Sequence, residues 1–160
     1  MIWKSIWAVV SGLIYTIAMT TLIDVLMTFV GVFAKVGAPI DNWLAALALS
    51  YRVVVGISGA YLAAWLAPFN PARHVFVLAS IGTVLGLIGM IATWDSGLAP
   101  NWFSAAIAIS AYPQSLLGLV LHDRLHRLQQ LKSAETPPSP KMHTRKKPSR
   151  AERSTSRKPK

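Results

Sequence analysis

Cysteine is absent from this 160-residue chain, and the acidic residues number only six. The first absence excludes disulfides, thiolate nucleophiles, c-type haem attachment and cysteine-ligated zinc or iron–sulfur centres. A Gly-rich phosphate loop, a kinase signature and a dinucleotide fingerprint are missing as well. Charged residues of either sign make up only 14% of the chain, and they are unevenly placed. Twelve of the 16 Lys and Arg follow Leu121, accompanied by Asp123, Glu135 and Glu152. Ahead of that point stand only Lys4, Lys35, Arg52 and Arg73 with Asp24, Asp41 and Asp95. A water-soluble domain needs a far more densely charged surface. The solvent expected for the body of this chain is therefore lipid.

What the body does contain is long apolar runs. A helix needs about 20 mostly apolar residues to cross a bilayer core. Four stretches meet that length, at about 6–29, 43–66, 75–94 and 102–121. The connections between them hold Pro39, then Pro68 and Pro71, then Pro100, residues that cannot donate to a helical ladder. All six tryptophans fall at the span ends (Trp3, Trp7, Trp43, Trp65, Trp94 and Trp102), as an interfacial aromatic belt requires. The first run is too long for the core of a signal peptide, so it is read as a span. Counting Lys and Arg beside the spans puts Lys4, Arg73 and the C-terminal segment on one side and only Lys35 on the other. Both termini are thus expected in the cytoplasm. The predicted fold is all-α: a four-helix transmembrane bundle over residues 1–132, followed by a disordered basic tail over 133–160.

Helix association in lipid relies on small residues and interhelical hydrogen bonds. The first span carries Gly12, Thr16, Thr20, Asp24 and Thr28 at steps of four, a polar stripe along one side. The second places Arg52, Gly56, Gly59, Ala60 and Ala63 on one face, and the third carries Gly82, Gly86, Gly89 and Thr93. Gly56, Gly59, Gly82, Gly86 and Gly89 are accordingly expected to pack against neighbouring helices. The fourth offers Ala108, Tyr112, Ser115 and Gly118, with Pro113 expected to bend it mid-membrane.

Arg52 is the one cation inside an apolar run. Counted from Trp43, it lies about 13 Å into the membrane, where an unpaired charge costs several kcal/mol. Asp24 is slightly shallower in the first span and within reach of the Arg side chain. An Asp24–Arg52 ion pair is predicted, with Tyr51, Thr20 or Thr28 adding hydrogen bonds. A candidate polar site of Asp24, Arg52, Tyr51, Thr20, Tyr112 and Gln114 follows. Such a pair serves equally as a clamp between helices or as part of a solute path, because burying an ion pair is weak evidence for either.

Two motif look-alikes point to weaker chemistry. His122-Asp-Arg-Leu-His126 has the spacing of a zinc-protease helix, with Asp in place of Glu and His74 as a conceivable third ligand. Histidines also decorate the cytoplasmic ends of spans, and no metal or cofactor is expected. Gly56-Ile-Ser58-Gly-Ala approximates a nucleophile elbow but lacks the strand–turn–helix setting that motif needs. Leu121, Leu125, Leu128 and Leu131 extend the fourth helix to about Ser133. Beyond the Thr136-Pro-Pro-Ser-Pro break, the basic remainder suits anionic lipid headgroups. It lacks an aromatic residue on which to stack a base, so no specific nucleic-acid partner is expected.

One stretch has a familiar pattern. Tyr51–Arg52, Gly59-Ala-Tyr-Leu-Ala-Ala-Trp-Leu-Ala-Pro68 and Pro71-Ala-Arg73-His74, with Pro113 and Leu117–Gly118 further on, resemble a group of small bacterial integral membrane proteins with four helices and no assigned function. Those proteins typically read Gly-Gly-Tyr-Leu-x-Ala-Arg-Leu-Ala-Pro, so Ala60 and Trp65 depart from the pattern. The resemblance covers roughly residues 50–120 and implies a bacterial inner-membrane location. It supplies no activity. The functional expectation is a non-enzymatic packing, interaction or accessory subunit in contact with the bilayer, as a homo-oligomer or beside a partner membrane subunit. The alternative is a small carrier or channel-like component whose polar path passes the Asp24–Arg52 pair.

Overall fold

A computed structural model of the chain describes residues 2–33 and 38–135. Four helices account for nearly all of them: α1 (Ile2–Phe29), α2 (Asn42–Leu66), α3 (Pro71–Thr93) and α4 (Asn101–Glu135). Each is long and apolar enough to cross a membrane. The four predicted spans all fall on these helices, and no strand occurs among the described residues. The chain divides into two compact units, Met1–Leu128 and Gln129–Lys160. The first holds α1, α2, α3 and most of α4. The second is described only through the last residues of α4, so the tail over 136–160 lies outside the described residues.

The helix ends follow from local chemistry. At the end of α1, Gly31 takes a left-handed conformation (φ 81°) that a side chain would oppose. Its amide donates to the Thr28 carbonyl at 3.1 Å, and that of Val32 donates to Met27 at 2.9 Å. These two bonds close a Schellman cap, which satisfies carbonyls the helix would otherwise leave free. Pro68 ends α2 by forcing Ala67 into an extended conformation (φ −65°, ψ 123°). Pro71, expected in the connection, instead opens α3 at its first position. Its missing N–H costs nothing there and its fixed φ suits a helix. The helical continuation expected to about Ser133 reaches Glu135, and α4 runs through Pro113.

α1 packs chiefly on α2, and both contact α3. α4 approaches α3 where Gly86 meets Ala108, and α2 where Gly118 meets Ile57. At one end Ile40 N–H donates to the Leu98 carbonyl (2.9 Å), tying two connections, and Trp102 Nε1 of α4 donates to Asn42 Oδ1 of α2 (2.8 Å). The core is built from small residues: Ala60, Ala63 and Ala64 with Val75 and Leu78 in one cluster, Ala45 and Ala48 with Phe103 in another. Large aliphatic residues point outward instead, with Val54 64% and Ile109 74% exposed. A water-soluble protein shows the reverse arrangement. Small residues inside and large apolar ones outside identify lipid as the surrounding medium, and the chain as a multi-pass membrane protein.

Candidate functional site

Polar residues from α1, α2 and α4 line one cleft. α1 contributes Thr16, Thr20 and Asp24, spaced one helical turn apart, with Thr21 beside them. α2 supplies Arg52, α3 supplies Gly82, and α4 supplies Ser110 and Gln114, again one turn apart. The cavity measures about 370 Å³ and touches all four helices. Two glycines open the space. A Cβ on Gly56 would lie 2.5 Å from the Gln114 amide, so that glycine is the slot in which Gln114 rests. A Cβ on Gly59 would strike the hydroxyl of Thr16, which donates to the Gly12 carbonyl at 2.9 Å.

At one end of the cleft, three side chains form a closed triangle. Arg52 Nη2 donates to Asp24 Oδ2 at 2.6 Å, and Arg52 Nη1 donates to the Tyr51 hydroxyl at 2.9 Å. The Tyr51 hydroxyl in turn donates to Asp24 Oδ1. The guanidinium also lies 5.3 Å from the centre of the Tyr51 ring and 5.6 Å from that of Phe103, within cation–π range of both. These contacts use two of the five N–H donors a guanidinium carries. The pair is not sealed: the Arg52 and Asp24 side chains keep 26% and 35% of their surface accessible.

The structure thus brings together Asp24, Arg52 and Tyr51, with Thr20 and Gln114 in the same cleft. Thr20 lines the wall without joining the triangle, and Thr28 is occupied with the backbone carbonyl of Asp24 (2.9 Å). Tyr112 is a correction. Its hydroxyl pairs with Ser80 (2.9 Å) on an exposed face. Two residues of helix rotate a side chain by about 200°, so Tyr112 and Gln114 cannot both face the cleft. Ser110 and Phe103 escaped the sequence reading. Ser110 had a signal, its place one turn before Gln114, whereas Phe103 had none.

Among the packing glycines, Gly56, Gly59 and Gly86 make close interhelical approaches, and Gly82 sits in ordinary contact with Ala111. Gly89 does not pack: no atom of another helix lies within 4 Å of where its Cβ would be, and it lines a cavity of about 430 Å³ between α3 and α4. The histidines do not assemble. His122 and His126 have ring centres 6.0 Å apart, and His122 Nδ1 lies 3.3 Å from Asp123. His74 is buried against Phe69, with Nδ1 3.1 Å from the Asn70 carbonyl. No group of three metal-ligating side chains forms among the described residues, so His74 does not complete a ligand set. Ser58 of the elbow look-alike lies within α2 and donates to the Val55 carbonyl at 2.8 Å.

Compared with family models, curated proteins and solved structures, the chain matches none of them.

Proposed function

We propose that this multi-pass protein resides in a bacterial inner membrane with both termini cytoplasmic, and that it acts without covalent chemistry, as a carrier-like component binding a small anionic solute in the cleft. The observation that carries this reading is Arg52: a guanidinium within a membrane span, part-exposed, with donors to spare beyond those engaged by Asp24 and Tyr51, facing a cavity whose polar lining is hydroxyls, an amide and the Asp24 carboxylate it already pairs with. Intramembrane ionisable groups mark solute paths when they face a cavity and not lipid. The volume falls within the range of small-molecule sites, about 300–1,000 Å³. The resemblance over residues 50–120 supports the bacterial location and adds no substrate.

The lack of native cysteine makes the test direct. Thr20→Cys and Gln114→Cys should react with a membrane-impermeant anionic thiol reagent, and acetate or inorganic phosphate should slow the reaction. Ile88→Cys, on an exposed apolar face, should stay unreactive. Unreactive cysteines at both cleft positions, from both sides of the membrane, would defeat the proposal.

Gly89 favours a second reading, a packing or accessory subunit. The open α3–α4 cavity it lines would accept apolar side chains from a helix of a second copy or of a partner membrane subunit. Gly89→Leu should then dissociate an oligomer while leaving cleft labelling unchanged.

A further inference from the structure

A second cavity, sharing no residue with the polar cleft, lies between α1 and α3. It measures about 360 Å³ and is walled by Ile6, Val9, Val10, Val77 and Ile81. Ser5, Arg73 and His74 complete its lining. The pairing of Ser5 and Ile6 with the start of α3 shows that the two helices begin at the same end of the bundle. Arg73 is exposed, and so is Lys4, one residue before Ser5. Trp3 and Trp7 stack edge-on with centres 6.3 Å apart, and both are exposed at that end. Exposed tryptophans at a helix end mark the headgroup level of the membrane. The groove therefore begins at the interface beside a cation and continues inward between branched aliphatic side chains.

We infer that this groove binds one anionic phospholipid, its acyl chain lying along Val9, Val10, Val77 and Ile81 and its phosphate against Arg73. Lipid is the medium the bundle faces, so an aliphatic groove open to it is filled by an acyl chain. What the protein adds is selection among headgroups. Arg73 supplies it: a guanidinium pairs with phosphate through parallel N–H bonds, and in an anionic lipid no headgroup cation competes for that phosphate. Lys4 adds a second positive charge at the same end.

The test uses the full chain in mild detergent, with lipid retention read by native mass spectrometry. Phosphatidylglycerol should be retained about fivefold more than phosphatidylcholine of the same acyl length, the preference expected of one basic residue at the surface. Arg73→Gln should erase that preference, Arg73→Lys should keep most of it, and Arg124→Gln, a cation outside the groove, should leave it intact. Val77→Trp should expel both lipids by filling the groove. Because Arg73 is exposed, its replacement leaves the packing unchanged and keeps the test decisive even where Val77→Trp fails to fold. Phosphatidylglycerol preference that persists in Arg73→Gln would overturn the inference and assign the effect to the basic tail. Equal retention of the two lipids in the unaltered chain would overturn it too, as would competition by glycerol phosphate, which would indicate a site for free phosphate. A disulfide joining two Val77→Cys chains would place a second copy in the groove instead.

Discussion

At the residue scale, Asp24 and Arg52 are partners of unequal dependence. Without Arg52, Asp24 still accepts a hydrogen bond from Tyr51. Without a carboxylate at position 24, Arg52 retains only the Tyr51 oxygen and two aromatic faces. Breaking a sealed ion pair costs about 3–5 kcal/mol. This pair opens onto a cleft, so a smaller penalty of about 1–2 kcal/mol is expected. Asp24→Asn should lower the unfolding temperature in detergent more than Arg52→Gln, and the double variant should recover part of the loss, as a double-mutant cycle would show. The pair was legible in the sequence because two polar residues at similar depth on consecutive spans have few other partners. Tyr112 was misplaced because closeness in sequence says nothing about helix face. Phe103 was hidden because an aromatic residue at a span end reads as part of the interfacial belt, and only the packed bundle turns its ring toward the guanidinium.

At the scale of elements, helix spacing fixes which face a residue occupies but not how near the neighbouring helix comes. Gly82 and Gly89 are seven residues apart and share a face of α3, yet only Gly82 meets α4. Gly86, between them, comes closest to α4, and the seam opens only beyond it, toward Gly89, into the α3–α4 cavity. Gly118→Ala and Gly89→Ala should therefore differ in sign. A Cβ on Gly118 would lie 2.5 Å from the Ile57 carbonyl, a backbone atom with little freedom to move. Overpacking of that kind costs about 1–3 kcal/mol. At Gly89 the methyl meets open space, and the gain in helix propensity, up to about 1 kcal/mol, should raise stability. Chemical denaturation of both variants would show the contrast. Gly31→Val should cost about 1–2 kcal/mol by opposing the left-handed cap of α1, with loss of protection at the Gly31 and Val32 amides in hydrogen exchange. The four spans were legible from apolar run length and the tryptophan positions. The early start of α3 was not, because a proline between two apolar runs reads equally as loop or as first helical residue.

At the scale of the whole molecule, the distribution of Lys and Arg predicts which ends face the cytoplasm. In oriented vesicles, Ser96→Cys, in the connection before α4, should be labelled from the periplasmic face, and Ser5→Cys from the cytoplasmic face. The opposite pattern would reverse the orientation proposed here and leave the helix packing untouched. The triangle of Asp24, Tyr51 and Arg52 also bears on how the chain enters its membrane. Its members lie on consecutive helices, α1 ahead of α2 in chain order, which share the principal α1 seam. An arginine delivered alone to the centre of a bilayer carries an insertion penalty of about 2.5–3.5 kcal/mol. With α1 already waiting, α2 can enter as the second arm of a hairpin whose charge is neutralised on arrival. Asp24→Asn should therefore slow membrane integration of the nascent chain, as a glycosylation-based insertion assay of α1 and α2 would show, and unchanged integration would confine the pair to the finished fold.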